Sequence, residues 1–462
     1  MKKITMDEAH ATAIGYDKLL YQIAEMCVSE NITPKRAVAN LVTQAVAKQG
    51  FRIFLSGSSF TAAAANPIHF IMQKALKVFF GLNAKLIIGS AYHKALERAF
   101  AYKIATGKTV RMGVAIREIV KYIHGEYPKI KADQRAEVSK QELIQEAIRL
   151  YKVYHKHQLP NNTPQEVEVF MSLPAPMEML RNPENAGKIF LSGAFDVMLG
   201  DDDGILIMTD AKTSDKRISG SVDMDPKLVE YKNELSAAKA ELSKVTKVIE
   251  KFAGVEEEIA EKQTELMETE LDLAVALEKK KAHKALDNKI ERISKIITTL
   301  GENLKQRIEA EKKAAAIWPE IENLEEVIAP LQEIYDEEKA EADLIECRKR
   351  HGQQLAFYAL LYMILYGKEV KRVRIENMVK SAVPELQVFE WELDEFELMR
   401  AEEEIQSNIT LIEMVLDGED PMVLFRLNTT SYIGDETIKF FDEVEKIVRE
   451  QRKSIQQAAH AA

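Results

Sequence analysis

The chain has very little cysteine and no long apolar run. Cys27 and Cys347 are the two cysteines among 462 residues, so a disulfide framework is excluded and a reducing cytoplasm is expected. No stretch reaches the roughly 18 uncharged apolar residues of a membrane helix, so no membrane span is expected. The opening MKKITMDEAH has no apolar segment after its lysines, so no secretory signal is expected either.

Net positive charge is also absent, since the chain carries −11 at pH 7. The charge is unevenly distributed: residues 1–225 hold 29 basic and 24 acidic residues, and residues 226–462 hold 34 and 50. Binding of phosphates depends on local fields rather than on overall charge. The acidity therefore does not exclude a nucleic-acid partner for the mildly basic first half.

Residues 187–214 show an apolar, polar, apolar pattern around the turn Asp201–Gly204, which predicts a strand, a tight turn and a strand. Pairing the strands about the centre of the turn predicts that Asp196 faces position 209 and lies beside Asp210. Asp210 and Lys212 are two residues apart and share a face. Burying these charges costs several kcal/mol each unless a cation and hydrogen bonds compensate. The alternative is a charged strand end in solvent.

Four motifs occur in an order that carries a resemblance. Residues 193–196 (GAFD) and 210–214 (DAKTS) resemble motifs II and III of the PD-(D/E)XK nuclease superfamily, most closely its RecB-like branch. Residues 89–97 resemble motif I of that branch, and residues 354–358 resemble its Q-x-x-x-Y motif. Each piece is weak alone, and the combination in this order is specific.

The resemblance implies an α/β fold in which a central mixed sheet is flanked by helices. It also implies hydrolysis of DNA phosphodiester bonds with Mg²⁺ or Mn²⁺. By resemblance, His93, Asp196 and Asp210 are metal ligands, joined by the backbone carbonyl of Ala211. Without the resemblance, a lone histidine such as His93 on a helix reads as structural.

The same resemblance assigns the remaining site residues. Lys212 would orient the attacking water or neutralise the phosphate, and Gln354 and Tyr358 would position the DNA strand. Glu97 shares a helical face with His93 and would support the site. Glu168 falls on an expected strand over 167–171 and is a weak candidate for an outer metal ligand.

The residues at two motif positions argue against an iron–sulfur cluster and against an ATP site. Iron–sulfur members of the RecB-like branch have a cysteine where this chain has Asn66, and no cysteine follows Cys347. Thiolates hold such clusters, so no iron–sulfur cluster is expected. Thr106–Thr109 (TGKT) imitates the end of a phosphate-binding loop, but the glycine required at position 102 is Tyr102, so no ATP site is expected.

The predicted helices over 98–158 combine many basic residues with tyrosines at 122, 127, 151 and 154. Such a surface could grip a DNA backbone and stack unpaired bases. Equally, the tyrosines could pack inward beneath a solvated basic face. The sequence leaves both interpretations open.

Sustained heptads over 226–346 predict a coiled-coil arm that folds back antiparallel, with breaks at Gly254, Gly301 and Trp318–Pro319. The arm is then an insertion between two parts of one nuclease domain, 1–225 and 347–462. The second part holds predicted strands over 370–378 and 386–393 and an acidic helical end. We expect the arm to bind a protein partner or another copy of the chain; the alternative is a spacer that shapes the DNA channel.

The function expected from these features is a DNA exonuclease in phage or bacterial recombination or repair, working in the cytoplasm with a strand-annealing protein. A defence-system endonuclease fits the motifs nearly as well. A different class of protein is also open: a coiled-coil assembly protein whose nuclease-like domain binds DNA without cleaving it.

Overall fold

The computed structural model describes residues 14–57, 67–79, 84–130, 132–201, 204–279, 281, 283–424 and 432–461. Asn66 lies outside these ranges, as do Asp202 and Asp203 in the predicted turn. The chain divides into two compact units, the first formed by Met1–Ser219 with Leu344–Ala462 and the second by Gly220–Asp343.

The strands of the first unit build one main sheet. Its order is β2-β5-β6-β7-β8, with β4 paired to β5. β2 with β5 and β6 with β7 are parallel, and the other pairs are antiparallel, so the sheet is mixed as predicted. A short parallel pair joins β1 to β3. The strands are β1 (Ile14–Gly15), β2 (Ile53–Leu55), β3 (Val78–Phe79), β4 (Pro164–Pro174), β5 (Ile189–Gly200), β6 (Leu206–Ser214), β7 (Arg372–Val379) and β8 (Glu385–Glu392).

Helices cover both faces of this sheet. In the described part of the chain, none is both long and apolar enough to cross a membrane. The helices are α1 (Tyr16–Ser29), α2 (Pro34–Val46), α3 (Pro67–Ala75), α4 (Ala84–Thr106), α5 (Met112–Glu126), α6 (Ala132–Glu137), α7 (Lys140–His157), α8 (Pro226–Lys251), α9 (Val255–Glu278), α10 (Lys284–Tyr366), α11 (Glu395–Leu416), α12 (Pro421–Leu424) and α13 (Tyr432–Ala461).

The two cores follow from alternation along the strands. In β5, Met198 packs into a cluster with α1, α2, α3, α11 and α13, whereas Val197 and Leu199 pack into a second cluster with α4, α5 and α7. Successive side chains of a strand point to opposite faces, so β5 supplies both clusters. The α/β prediction, a mixed sheet between helical layers, is confirmed.

The hairpin between β5 and β6 differs from its prediction by one residue. Val197, rather than Asp196, pairs with Thr209. The reason is the loop: the Asp201 N–H donates to the Ile205 carbonyl at 3.1 Å, which closes a loop with an odd number of residues. Gly204 supplies a φ of +75° there, a conformation that favours glycine. The prediction assumed a loop with an even number of residues.

Other local predictions agree with the structure. Pro34 begins α2, and the Thr33 side chain accepts a hydrogen bond from the Arg36 N–H as its N-cap. The last two strands, β7 and β8, lie within two residues of their predicted limits. Glu168 lies in β4, which extends further in both directions than the predicted 167–171.

The second unit consists of long paired helices. Apolar residues of α8 and α10 pack together: Ala238 and Val245 of α8 lie in one cluster with Ala310 and Ile317 of α10. An ion pair of 2.6 Å joins Lys239 to Glu325, and another of 3.3 Å joins Lys289 to Glu265 in α9. Rising numbers in α8 and α9 therefore meet falling numbers in α10. This antiparallel pairing fits the predicted arm.

One of the three predicted breaks is present. Gly254, with φ of +82°, separates α8 from α9. The predictions at Gly301 and at Trp318–Pro319 are wrong, because α10 is continuous through both. Pro319 loses one backbone hydrogen bond on the exposed side of the helix. Ile317 and Ile321 on the opposite side are buried, and their packing holds the helix together.

Candidate active site

The predicted site residues come from four elements of the first unit. His93 is on α4, Asp196 on β5, Asp210 and Lys212 on β6, and Gln354 and Tyr358 on α10. Side-chain contacts link them into two connected groups, described in turn below.

The first group is His93 and Asp196. The His93 Nδ1 lies 2.7 Å from the Asp196 Oδ1, and the Ala211 backbone N–H donates to the Asp196 Oδ2 at 2.7 Å. Burial alone would raise the pKa of Asp196, but His93, Lys212 and the Ala211 amide outweigh it and hold that pKa at about 2. Asp196 is therefore a charged carboxylate with both oxygens engaged.

The second group starts from Asp210 and Lys212. The Lys212 Nζ lies 2.5 Å from the Asp210 Oδ2. Asp210 is 5% exposed, and this burial, with the charge of Asp196, raises its pKa to about 6 against the opposing effect of Lys212. Burial would lower the pKa of Lys212, but Asp210 outweighs it, so Lys212 remains an ammonium. A cation is thus held beside two acids.

Gln354 and Tyr358 extend this group. The Lys212 Nζ donates to the Gln354 Oε1 at 3.4 Å, and the Gln354 Nε2 donates to the Tyr358 hydroxyl at 2.8 Å. Burial raises the pKa of Tyr358 to about 12, so its hydroxyl keeps its proton. The i, i+4 spacing on α10 brings both side chains to Lys212.

Two glycines allow α10 to approach this closely. A Cβ at Gly193 would lie 2.6 Å from the Tyr358 ring, and a Cβ at Gly57 would lie 3.1 Å from the Gln354 Cγ. Gly193 opens the GAFD motif, so the motif glycine leaves room for the tyrosine of the last motif. The sequence alone showed the residue but not this reason.

Lys94 is a site residue that the sequence reasoning missed. Its Nζ lies 2.5 Å from the Glu97 Oε2 and 4.0 Å from a Glu168 carboxylate oxygen. The structure therefore pairs Glu97 with Lys94. The sequence feature that could have indicated Lys94 is its position next to His93 and three residues before Glu97.

Glu168 lies across the strand pair from Asp196, since Val167–Val197 and Val169–Phe195 are the flanking pairs. Its φ of +49° is strained for a residue with a side chain. Burial raises the pKa of Glu168, Lys94 lowers it, and Glu97 and Asp196 raise it. A third carboxylate therefore lies close enough to His93 and Asp196 for their charges to affect its pKa.

Comparison with known proteins bears on this arrangement. The model of the PD-(D/E)XK nuclease superfamily matches residues 55–315, which is more than half of the chain. The chain belongs to the PD-(D/E)XK nuclease superfamily. No curated protein matches it. The match includes His93, Asp196, Asp210 and Lys212 and ends before Gln354. The superfamily assignment therefore does not depend on the Q-x-x-x-Y helix.

PD-(D/E)XK nucleases typically use divalent metals, and the donor set of this nuclease fits one. The two carboxylates suit Mg²⁺ or Mn²⁺, and the neutral imidazole beside them suits a manganese-type ion. Within the described ranges, however, no three His, Cys, Asp or Glu side chains converge as a ligand group. His93 is hydrogen-bonded to Asp196, and Asp210 is paired with Lys212. Metal binding requires these side chains to exchange those partners for the ion.

His351 is a second neighbour that the sequence reasoning missed. It lies on α10 three residues before Gln354, and its i, i+3 spacing was the available signal. Burial, then the charges of Lys212 and Arg350, lower the pKa of His351 to about 4. This histidine of the nuclease is neutral at pH 7.

The tyrosines of the basic helices pack inward. Tyr151 and Tyr154 are fully buried, and Tyr122 and Tyr127 pack against the same apolar cluster. The Tyr154 hydroxyl donates to the Glu376 carboxylate at 2.5 Å. Of the two interpretations left open, inward packing is correct for Tyr151 and Tyr154, whereas Tyr122 and Tyr127 are partly buried.

Proposed function

We propose that this chain is a metal-dependent deoxyribonuclease of the RecB-like branch that degrades DNA from its ends. One observation carries the proposal: side chains from four separate elements are in contact, His93 with Asp196, and Asp210 with Lys212, Gln354 and Tyr358 in turn. The charges of Asp196 and Lys212 also act on Asp210. A purely structural role does not account for these charges, since Asp210 is buried, Asp196 is largely buried and the Lys212 ammonium is partly buried, and such charges are costly to desolvate.

His93, Asp196 and Asp210 would hold the metal ion, with Glu168 as an outer ligand. When bound, Mg²⁺ or Mn²⁺ supplies a water of lowered pKa and a positive charge at the scissile phosphate. The Asp196 carboxylate, fixed by the Ala211 amide, needs no reorientation of the strand.

Lys212 keeps its proton at Nζ and presents that charge to the developing negative charge of the phosphate. The Gln354 amide and the protonated Tyr358 hydroxyl lie beyond it on the same side and would hydrogen-bond the DNA backbone. Glu97 would act indirectly, by holding Lys94 near Glu168.

The test is degradation of linear double-stranded DNA by the purified chain with Mg²⁺, with Mn²⁺ and with EDTA. Metal-dependent loss of DNA that disappears in Lys212→Gln is expected. The matched control is Lys216→Gln, which changes a lysine just after β6. Equal activity of Lys212→Gln and the wild-type chain would refute the proposal. DNA binding without cleavage in any metal would support the alternative of a binding protein.

The preference for ends is tested with a closed circular plasmid and with end-labelled strands. An exonuclease in phage or bacterial recombination or repair leaves the closed circle intact and releases label from one end first. Cutting of the closed circle would favour the defence-type endonuclease. The cytoplasmic location that we propose fits two free, buried cysteines, Cys27 and Cys347.

For the arm we propose a docking role for a basic amphipathic helix, such as one from a strand-annealing protein. Met267, Leu271 and Val275 form a stripe on α9 that is 71%, 67% and 40% exposed. Glu268, Glu270 and Asp272 flank it. An apolar stripe between acidic residues complements a helix whose leucines are flanked by lysines. The same acidic residues would repel a second copy of this stripe.

The probe is a fluorescent synthetic helix with a leucine stripe flanked by lysines. Its anisotropy should rise with the wild-type chain and with Glu257→Gln, and Leu271→Glu should abolish the rise. Light scattering should give the mass of one chain. A dimer that Leu271→Glu dissociates would replace the docking proposal by self-association, and unchanged probe binding in Leu271→Glu would refute it.

A further inference from the structure

A second polar cavity lies in the first unit, at the β2 edge of the sheet. Its volume is about 600 Å³, and α1, α2, α3 and the turn that leads into β2 line it. That turn is closed by the Phe51 N–H, which donates to the Lys48 carbonyl at 3.1 Å, and by Gly50 with φ of +76°. The volume is within the range of small-molecule sites.

The charged residues lining this cavity are all cationic: Lys48, Arg52 and Lys77. In the part of the chain that the structure describes, none of these three side chains forms an ion pair with a carboxylate. This contrasts with the arm, where lysines pair with glutamates, as Lys239 does with Glu325. Three cations that line one cavity without a carboxylate partner repel one another, and an anion in the cavity relieves that repulsion.

The uncharged lining suits a base rather than a bare anion. Three amide side chains, Gln22, Gln44 and Gln49, offer both donors and acceptors. Phe51 and Phe54 supply aromatic surface, and Phe54 stacks on Phe190 with ring centroids 5.2 Å apart. The Arg52 guanidinium lies 5.5 Å from the Phe190 ring, which brings its charge to that aromatic surface.

The backbone at Lys77 adds a separate observation. Its φ of +53° places a residue with a side chain in the left-handed region. Such a conformation is strained and persists where the surrounding structure imposes it, often at ligand sites. The strained residue is itself part of the cationic lining.

We propose that this cavity binds a nucleotide, with the phosphate on Lys48, Arg52 and Lys77 and the base against Phe51 and the glutamine amides. It is separate from the nuclease site: Phe190 precedes Asp196 by six residues of β5, which is about 20 Å along a strand. The inference does not depend on the proposed function, because binding can be measured without metal or cleavage.

The experiment measures binding of a fluorescent deoxynucleoside monophosphate to the full chain in EDTA, by anisotropy. Arg52→Gln combined with Lys77→Gln should weaken binding by about tenfold or more, since each charge-assisted contact contributes on the order of a factor of ten. Lys35→Gln, on the exposed face of α2, is the matched control and should bind as the wild-type chain does. Circular dichroism checks that the variants fold.

The outcomes separate the possible sources of the nucleotide. A tight monophosphate complex that the double variant loses supports a free nucleotide. If the monophosphate binds weakly but a short single strand binds tightly and depends on the same cations, the nucleotide belongs to a DNA strand. In that case the salt dependence of log K should shrink by about 0.7 for each cation removed.

Three results would overturn the proposal. The first is binding of neither probe, and the second is equal binding by the double variant and the wild-type chain. The third is displacement by inorganic phosphate at the same concentration as by the nucleotide, since the base would then contribute nothing. Asp210→Asn should bind the probe normally, so a failed nuclease and a failed nucleotide site can be told apart.

Discussion

Two buried acids on neighbouring strands show how differently the same fold treats a carboxylate. Glu376 on β7 pairs in register with Ala211, one residue after Asp210 on β6. Glu376 is fully buried and accepts hydrogen bonds from Tyr154, from Gln158 at 2.8 Å and from Asn162 at 3.1 Å. Asp210 is nearly as buried, but it is paired with Lys212 and lies beside a second charged acid.

The difference separates structure from chemistry. Three neutral donors satisfy the oxygens of Glu376, and the Arg374 guanidinium lies 3.8 Å away, so this buried charge is fully partnered in the core. Asp210 faces the Lys212 ammonium and the like charge of Asp196, and its pKa is raised to about 6. A divalent cation would stabilise the charged form of Asp210, whereas Glu376 is already stabilised by its hydrogen bonds.

The largest expected effect is on catalysis by Asp210→Asn. We expect loss of DNA degradation by about a thousandfold or more, because the change removes a metal-binding charge and the partner of Lys212. The measurement is the initial rate of end-label release in saturating Mn²⁺. The melting temperature should stay within a few degrees of wild type. A folded Asp210→Asn chain at full rate would remove Asp210 from the site.

The matched change at the other acid should affect stability instead. Glu376→Leu removes the carboxylate that accepts from Tyr154, Gln158 and Asn162. Gln158 and Asn162 each keep one other hydrogen bond in the cluster, and we expect a cost of about 3 kcal/mol in the free energy of unfolding. Denaturant titration measures it. The activity per folded molecule should be unchanged. A stable but inactive Glu376→Leu would place Glu376 in the catalytic machinery and end the contrast.

A pH titration tests whether burial, with the charge of Lys212, keeps His351 neutral. His351 has a pKa of about 4 in the folded chain, below its ordinary 6.5, so the unfolded chain binds its proton first. The stability it contributes is present above pH 6.5 and is lost as the pH falls toward 4, by about 2 kcal/mol. His351→Gln should flatten the stability curve in that window. If the stability of the wild-type chain and of His351→Gln changed equally with pH, the lowered pKa of His351 would be contradicted.

The smallest expected effect is at Gly193. Gly193→Ala places a Cβ 2.6 Å from the Tyr358 ring, so the ring must move, at a cost of about 1–2 kcal/mol and a partial loss of rate. Gly301→Ala is the control, because no atom lies within 4 Å of its added Cβ and alanine favours a helix. The two melting temperatures should move in opposite directions. A rate unaffected by Gly193→Ala would show that Tyr358 needs no exact placement.

Local spacing made much of the site predictable. The hairpin, the two-residue step from Asp210 to Lys212 and the four-residue step from Gln354 to Tyr358 depend on strand and helix geometry alone. Lys94 and His351 were missed because their roles depend on contacts between elements distant in sequence. The same holds for the inward packing of the tyrosines against β7.

The errors in the fold prediction have local physical causes. The strand register was wrong by one because hairpin loops of even and odd length share the same composition. The expected break at Pro319 did not occur because the packing of α10 outweighs one missing hydrogen bond. The helix propensity of single residues does not show how well a helix packs against its neighbours.

The Ala211 amide of β6 donates a hydrogen bond to the Asp196 carboxylate of β5, and the loop at 201–205 joins these two strands. That bond joins Asp196 to the residue that follows Asp210 on the neighbouring strand, so the length of the loop decides how the two acids are placed relative to each other. Adding a single residue to the loop would shift one strand along the other and separate the two acids, while every side chain of the site would remain in the sequence.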